Sequence, residues 1–177
     1  GGIYVLTWYD SDPQNHEPIQ IYNNLIYNNF SEYMGGGIGC WYVGSWEYPS
    51  PVDPLIINNT LVGNRSSKGS GISCIDANIV LLNNILHNDI RPGGSEVFDE
   101  QFYLSGKWTV DPPTTKIHSS FNNIQGGYPG IGNFGANPGL ESGSFSPSQT
   151  SACIGRGADS IHYQNICIKA SFADIHG

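Results

Sequence analysis

Three features of the 177-residue sequence predict an all-β solenoid of stacked parallel coils: a recurring Asn-Asn pair, a recurring Gly-Ile pair, and apolar runs too short for helices. The Asn pairs lie in Ile21-Tyr22-Asn23-Asn24-Leu25-Ile26, Ile56-Ile57-Asn58-Asn59-Thr60-Leu61, Leu81-Leu82-Asn83-Asn84-Ile85-Leu86 and Ser120-Phe121-Asn122-Asn123-Ile124. Successive pairs are 35, 25 and 39 residues apart, so fixed landmarks are joined by loops of different length. Gly2-Ile3, Gly37-Ile38 and Gly71-Ile72 lead the units, with Val97 a degraded fourth marker.

Composition agrees with short strands and many turns. With 23 Gly, 11 Pro and only 12% charged residues the chain is a poor helix former, while 38% hydrophobic residues suffice for a core.

Each unit supplies three strands, one at the Gly-Ile marker and one on either side of the Asn pair. Equivalent strands of successive coils must run parallel, about 4.8 Å apart, and each coil leaves an apolar edge that only the next can cover. Asn tolerates the left-handed conformation of a sharp corner, and its stacked amide can donate to one coil and accept from another. The expected columns are Asn23, Asn58, Asn83 and Asn122, and beside them Asn24, Asn59, Asn84 and Asn123, with at least one column buried. Val5, Cys40 and Cys74 stack inward alongside Ile3, Ile38 and Ile72. Cysteines stacked in register point poorly for a bridge, so Cys40 and Cys74 are expected to be reduced. Cys153 and Cys167 lie outside the coils, and both bridged and free states stay open. The coils occupy residues 1–125, and residues 126–177 form a closing segment packed on the last coil of the same domain.

The net charge of −8, with seven scattered Lys and Arg, argues against nucleic acid and anionic membrane surfaces as partners. No apolar run approaches the roughly 20 residues of a membrane span. A strand that starts at Gly2 leaves an unpaired edge, so further coils before Gly1 or an end-to-end neighbouring chain are expected there. The second arrangement would build fibres.

Loop length places candidate chemistry on one corner. Residues 8–18 and 41–54 connect the marker strand to the pre-Asn strand in the first two coils, whereas the third crosses with only Asp76-Ala77-Asn78. Two long loops should therefore overhang a shelf at the third coil. Trp8, Tyr9, Trp41, Tyr42, Trp46 and Tyr48 concentrate there, with Asp10, Asp12, His16, Glu17, Glu47 and Asp53. Aromatic faces stack on sugar rings while carboxylates and amides meet hydroxyls, which makes this a candidate saccharide site. The same rings equally serve to pack the loops together. Paired acids can hydrolyse a glycosidic bond, and Asp10 and Asp12 are candidate Ca²⁺ ligands; otherwise no cofactor is expected. The Asn-x-Ser/Thr triplets at Asn29 and Asn64 occupy matching turns and read as corner caps, and Asn58 in the third triplet belongs to the Asn pairs.

These residues resemble the right-handed parallel β-helix repeat proteins, the broad group that includes pectate-lyase-like folds. Their repeat couples Gly-Gly-Ile to Ile-x-Asn-Asn-Thr-Ile and a later Asn, and it is seen here from Gly1 to Ile124. Gly132-Asn133-Phe134, Asn137-Pro138-Gly139-Leu140, Ser151-Ala152-Cys153-Ile154 and Ala173-Asp174-Ile175-His176-Gly177 look like the closing segment of secreted bacterial β-helix proteins. Those proteins carry Ser-Pro-x-Ile-Asp-x-Gly and Asp-x-x-Gly-Asn-Pro-Arg; here Ala152 replaces the proline and Gly155 the aspartate, and the chain stops before Asn-Pro-Arg. The resemblance implies a secreted or cell-surface location. It implies no single activity, because the architecture hosts lyases, hydrolases, adhesins and spacers. No clustered cations of a lyase and no Gly-His-Gly of a polygalacturonase-like hydrolase are present. The expectation is an extracellular, non-catalytic module that touches polysaccharide through its aromatic loops, with a lyase or hydrolase fragment as the rival.

Overall fold

The computed structural model describes residues 2–6, 18–41, 53–89, 101–105 and 115–170. Among them no helix occurs. The first coil holds β1 (Ile3–Leu6), β2 (Gln20–Tyr22), β3 (Leu25–Tyr27) and β4 (Phe30–Ser31). The second holds β5 (Ile38–Trp41), β6 (Leu55–Ile57), β7 (Thr60–Val62) and β8 (Arg65–Ser66). The third holds β9 (Ile72–Ile75), β10 (Ile79–Leu82) and β11 (Ile85–His87); the fourth holds β12 (Phe102–Ser105), β13 (Ile117–Ser120) and β14 (Asn123–Ile124).

Equivalent strands pair in parallel. Sheet A runs β1-β5-β9-β12, sheet B β2-β6-β10-β13 and sheet C β3-β7-β11-β14. The chain is an all-β parallel solenoid. Its inner columns are Ile3, Ile38, Ile72 and Phe102, then Val5, Cys40, Cys74 and Leu104, both from sheet A. Ile21, Ile56 and Leu81, and Ile26, Leu61, Leu86 and Ile124, close the core from sheets B and C. All four cysteines are free. A hydrogen bond with Cys40 and full burial hold the Cys74 thiol well above its usual range, so it serves as a small core residue.

Corners explain the Asn pairs. Asn23, Asn58 and Asn83 take positive φ at the B–C corner, and Asn24, Asn59 and Asn84 follow them with inward amides. Asn24 Nδ2 donates to Asn59 Oδ1 (3.0 Å), Asn59 Nδ2 to Asn84 Oδ1 (3.1 Å) and Asn84 Nδ2 to Asn122 Oδ1 (2.9 Å). Each of these oxygens also accepts the backbone N–H of the preceding Asn. The fourth coil departs from the expected stacking. Leu82 pairs with Ser120, so Phe121 takes the left-handed corner, and Asn122, not Asn123, continues the Asn24 series. Asn123 instead enters β14 opposite Ile85.

A second column follows the third strand of each coil. Asn29 Nδ2 donates to Asn64 Oδ1 (3.0 Å), and Asn64 Nδ2 to Asp89 Oδ1 (2.8 Å). This column accounts for the Gly-Ile marker. A Cβ on Gly2 would lie 2.9 Å from Asn29 Nδ2, and one on Gly37 would lie 2.6 Å from the Gly71 carbonyl oxygen and 3.3 Å from Asn64 Nδ2. Only glycine leaves that space. In the fourth coil the marker is not at Val97, which lies outside the described residues. Phe102 stands opposite Ile72, so Gln101 holds the glycine position.

Sheet B reads Leu55-Ile56-Ile57 and Ile79-Val80-Leu81-Leu82 without alternation because both its faces are buried. The tail supplies the outer cover. Residues 131–134 lie on the fourth coil, with Phe121 N–H donating to the Ile131 carbonyl and Ile124 N–H to that of Phe134 (both 2.8 Å). The chain then runs back outside sheet C, where Asn123 Nδ2 contacts Cys153 Sγ at 3.1 Å and Phe145 packs on Tyr27 of the first coil at 5.1 Å. Ala158 exchanges two hydrogen bonds with the Asn83 side chain. The antiparallel hairpin β15 (Ser160–Tyr163) and β16 (Ile166–Lys169) finally packs Ile168 and Ile161 on Leu55, Ile57, Val80 and Leu82.

Asn84→Ala should cost about 2–5 kcal/mol, because it removes the acceptor of the buried Asn59 N–H and the Nδ2 donor to the Ile56 and Leu82 carbonyls and Asn122 Oδ1. Asn24→Ala, in the half-buried first coil, should cost less than half as much. Urea unfolding of the two variants checks the order.

Candidate functional site

Alternation along sheet A sets its outer face. With Ile3, Val5, Ile38, Cys40, Ile72, Cys74, Phe102 and Leu104 directed inward, the register aligns Tyr4, Gly39, Ser73 and Tyr103 as one outward column. Leu6, Trp41, Ile75 and Ser105 form the second. Tyr4 is 59% exposed, and its ring approaches Gly39 so closely that a Cβ there would lie 3.0 Å from Tyr4 Cδ2. Gly39 and Ser73 between them are buried beneath the Tyr4 ring and Gly35, and the two tyrosines stand three coils, roughly 14 Å, apart. Lys68 Nζ stands 4.8 Å from the Tyr103 ring centroid, a cation–π contact at the far end of this face.

Of the residues proposed from loop length, the structure places Trp41 and Asp53. Trp41 is half-buried in β5, on the outer face beside the tyrosine column. Trp8, Tyr9, Asp10, Asp12, His16, Tyr42, Trp46, Glu47 and Tyr48 lie outside the described residues, and so does Glu17. The short third corner is well held. Asp76 N–H donates to the Ser105 carbonyl (2.9 Å), and Asn78 Oδ1 accepts the Lys116 N–H (2.8 Å).

Asp53 is not a free loop carboxylate. It is 7% exposed, and its Oδ2 accepts the Tyr163 hydroxyl at 2.5 Å, while Gln164 Nε2 donates to the same phenol at 2.9 Å. The His118 ring lies 4.4 Å from that of Tyr163. Burial first, and then the bond to Asp53, push the Tyr163 phenol well above its usual range. The phenol is therefore a held donor and not a ready base, and this cluster latches the hairpin to sheet B. Among the described residues no three His, Cys, Asp or Glu side chains gather as a metal site, and no helix is long and apolar enough to cross a membrane.

Compared with family models, curated proteins and solved structures, the chain matches none.

Loop length pointed away from Tyr4 and Tyr103. Their signal was the strand itself: the residue after each marker isoleucine must face outward, and Tyr4, Gly39 and Ser73 follow Ile3, Ile38 and Ile72.

Tyr163→Phe should lower stability by about 2 kcal/mol, since buried Asp53 loses its donor. The raised phenol contributes fully below pH 10 and loses its contribution as pH climbs through its higher folded value. Urea midpoints at neutral and strongly alkaline pH should therefore fall further for the wild type than for the variant.

Proposed function

We propose that this chain is a segment of a secreted or cell-surface parallel β-helix protein, pectate-lyase-like in fold, that holds a polysaccharide along the outer face of sheet A without cleaving it. The observation that carries this reading is the alignment on that face of exposed Tyr4, half-buried Trp41 beside it and half-buried Tyr103 at the far end. Aromatic rings roughly 14 Å apart along one face suit an extended ligand whose sugar rings present apolar faces to them. The rigid coil-by-coil spacing means that little ordering is needed on binding. The charge of −8 favours a neutral polysaccharide over a polyuronate. Non-cleavage rests on the sequence, which has neither the clustered cations of a lyase nor the Gly-His-Gly of a polygalacturonase-like hydrolase.

Affinity measurements against neutral and acidic polysaccharides test this. The wild type should bind a neutral chain, and Tyr4→Ala and Trp41→Ala should each weaken binding about tenfold. Tyr4→Ala should leave the thermal midpoint unchanged, since that side chain is largely exposed. Unaltered affinity in both variants would remove the site. New reducing ends or unsaturated uronate absorbance on incubation would favour the hydrolase or lyase reading instead.

A further inference from the structure

The second amide column contains one residue that breaks its own rule. Asn29 and Asn64 both donate through Nδ2, and Asn64 Nδ2 reaches both Asp89 Oδ1 (2.8 Å) and the Ile26 carbonyl (2.9 Å). Asp89, fully buried in the same position of the third coil, has no amide protons to give. Its Oδ1 accepts both the backbone N–H and Nδ2 of Asn64. Its Oδ2 is buried without a donor, and so is Oε1 of Gln101. Both oxygens face the Cα of Gly71, at 3.2 and 3.1 Å from where a Cβ would sit. The Gln101 amide cannot resolve this by turning over. Its Nε2 is committed to the Asp89 backbone carbonyl (3.1 Å), and a turned amide would set Oε1 against that carbonyl.

Two buried acceptors crowded beside one glycine, each without a donor, are relieved by a proton on the carboxyl. We infer that Asp89 is carried in the folded solenoid as the neutral acid, its Oδ2–H taking the role of an asparagine amide toward the fourth coil, so that the joint between the third and fourth coils is a pH-sensitive element. A protonated carboxyl is the nearest mimic of asparagine, with one donor and one acceptor in the same plane. Of the titratable groups on the turns packed against it, Arg65 is exposed, and His87 alternates with inward Leu86 and so lies on the outer face. Asp99 and Glu100, before Gln101, lie outside the described residues.

Burial supports the same conclusion by driving the Asp89 carboxyl up to about 7, with the two bonds from Asn64 opposing. The group is an acid whose folded value is raised. Its contribution to stability is complete below the ordinary value of 3.8, is lost as pH rises through about 7, and is gone above that.

The test compares the full chain with Asp89→Asn, which restores the residue type the column carries elsewhere. Between pH 4 and pH 8 the wild-type unfolding equilibrium constant should rise about a thousandfold relative to that of the variant, with the variant the more stable at pH 8. Carboxyl ¹³C NMR of the wild type, which does not depend on any variant folding, should show Asp89 titrating near 7. A carboxyl that titrates near 4 overturns the inference, as it would if a water donated to both oxygens and left Asp89 ionised. So does an Asp89→Asn protein with the wild-type dependence on pH.

Discussion

The structure depends on one repeated bond: an amide oxygen in each coil that accepts both the backbone N–H and the side-chain N–H of the coil before it. Because the two donors are a fixed distance apart on one residue, the oxygen can satisfy both in only one register. Sliding a coil by a single residue would turn its inward column out to solvent and would leave buried amides unpaired. Hydrophobic contact alone tolerates such slips, since isoleucine stacked on leucine is nearly as good as on valine. The polar column supplies what the apolar core does not, a single alignment from the first coil to the fourth.

From that alignment the outer surfaces follow. Once Ile3, Ile38 and Ile72 are superposed, the residue after each is committed to the outside, and sheet A gains its tyrosine, glycine, serine and tyrosine in line. Sheet B gains an outer apolar strip by the same rule and needs a cover, which the β15–β16 hairpin provides. One face carries tyrosines at its two ends and another is closed by the tail, although both arise from the same stacking.

The coils were legible because their landmarks are physical necessities. Glycine must leave room for the second amide column, and a residue that tolerates positive φ must turn the corner. Matching the literal Asn-Asn pair misled at the fourth coil, where a phenylalanine occupies the corner and the pair is displaced by one. Phe121 accepts that backbone cost with its ring packed beside Gly132, where any Cβ would collide with it. The second column was readable too, for Asn29, Asn64 and Asp89 each lie five residues after an inward Asn. It was hidden by chemistry, since an aspartate does not look like a member of an asparagine series until its burial is known. The fourth marker was hidden because Gln101 stands where the other coils have glycine. The cover on sheet B could be expected from its unbroken apolar runs, but not that the far end of the chain provides it.

The route of the tail changes how such a stack comes apart. In a solenoid held only by contacts between neighbours, terminal coils fray independently and the interior survives. Here the segment rooted on the fourth coil reaches back to Tyr27 on the first, and Ala158 and the hairpin grip the coils between. Losing either end therefore loosens the longitudinal strap that braces the other. The assembly should melt closer to all at once than its nearest-neighbour geometry would allow, a cooperativity conferred by the part of the chain that belongs to no coil.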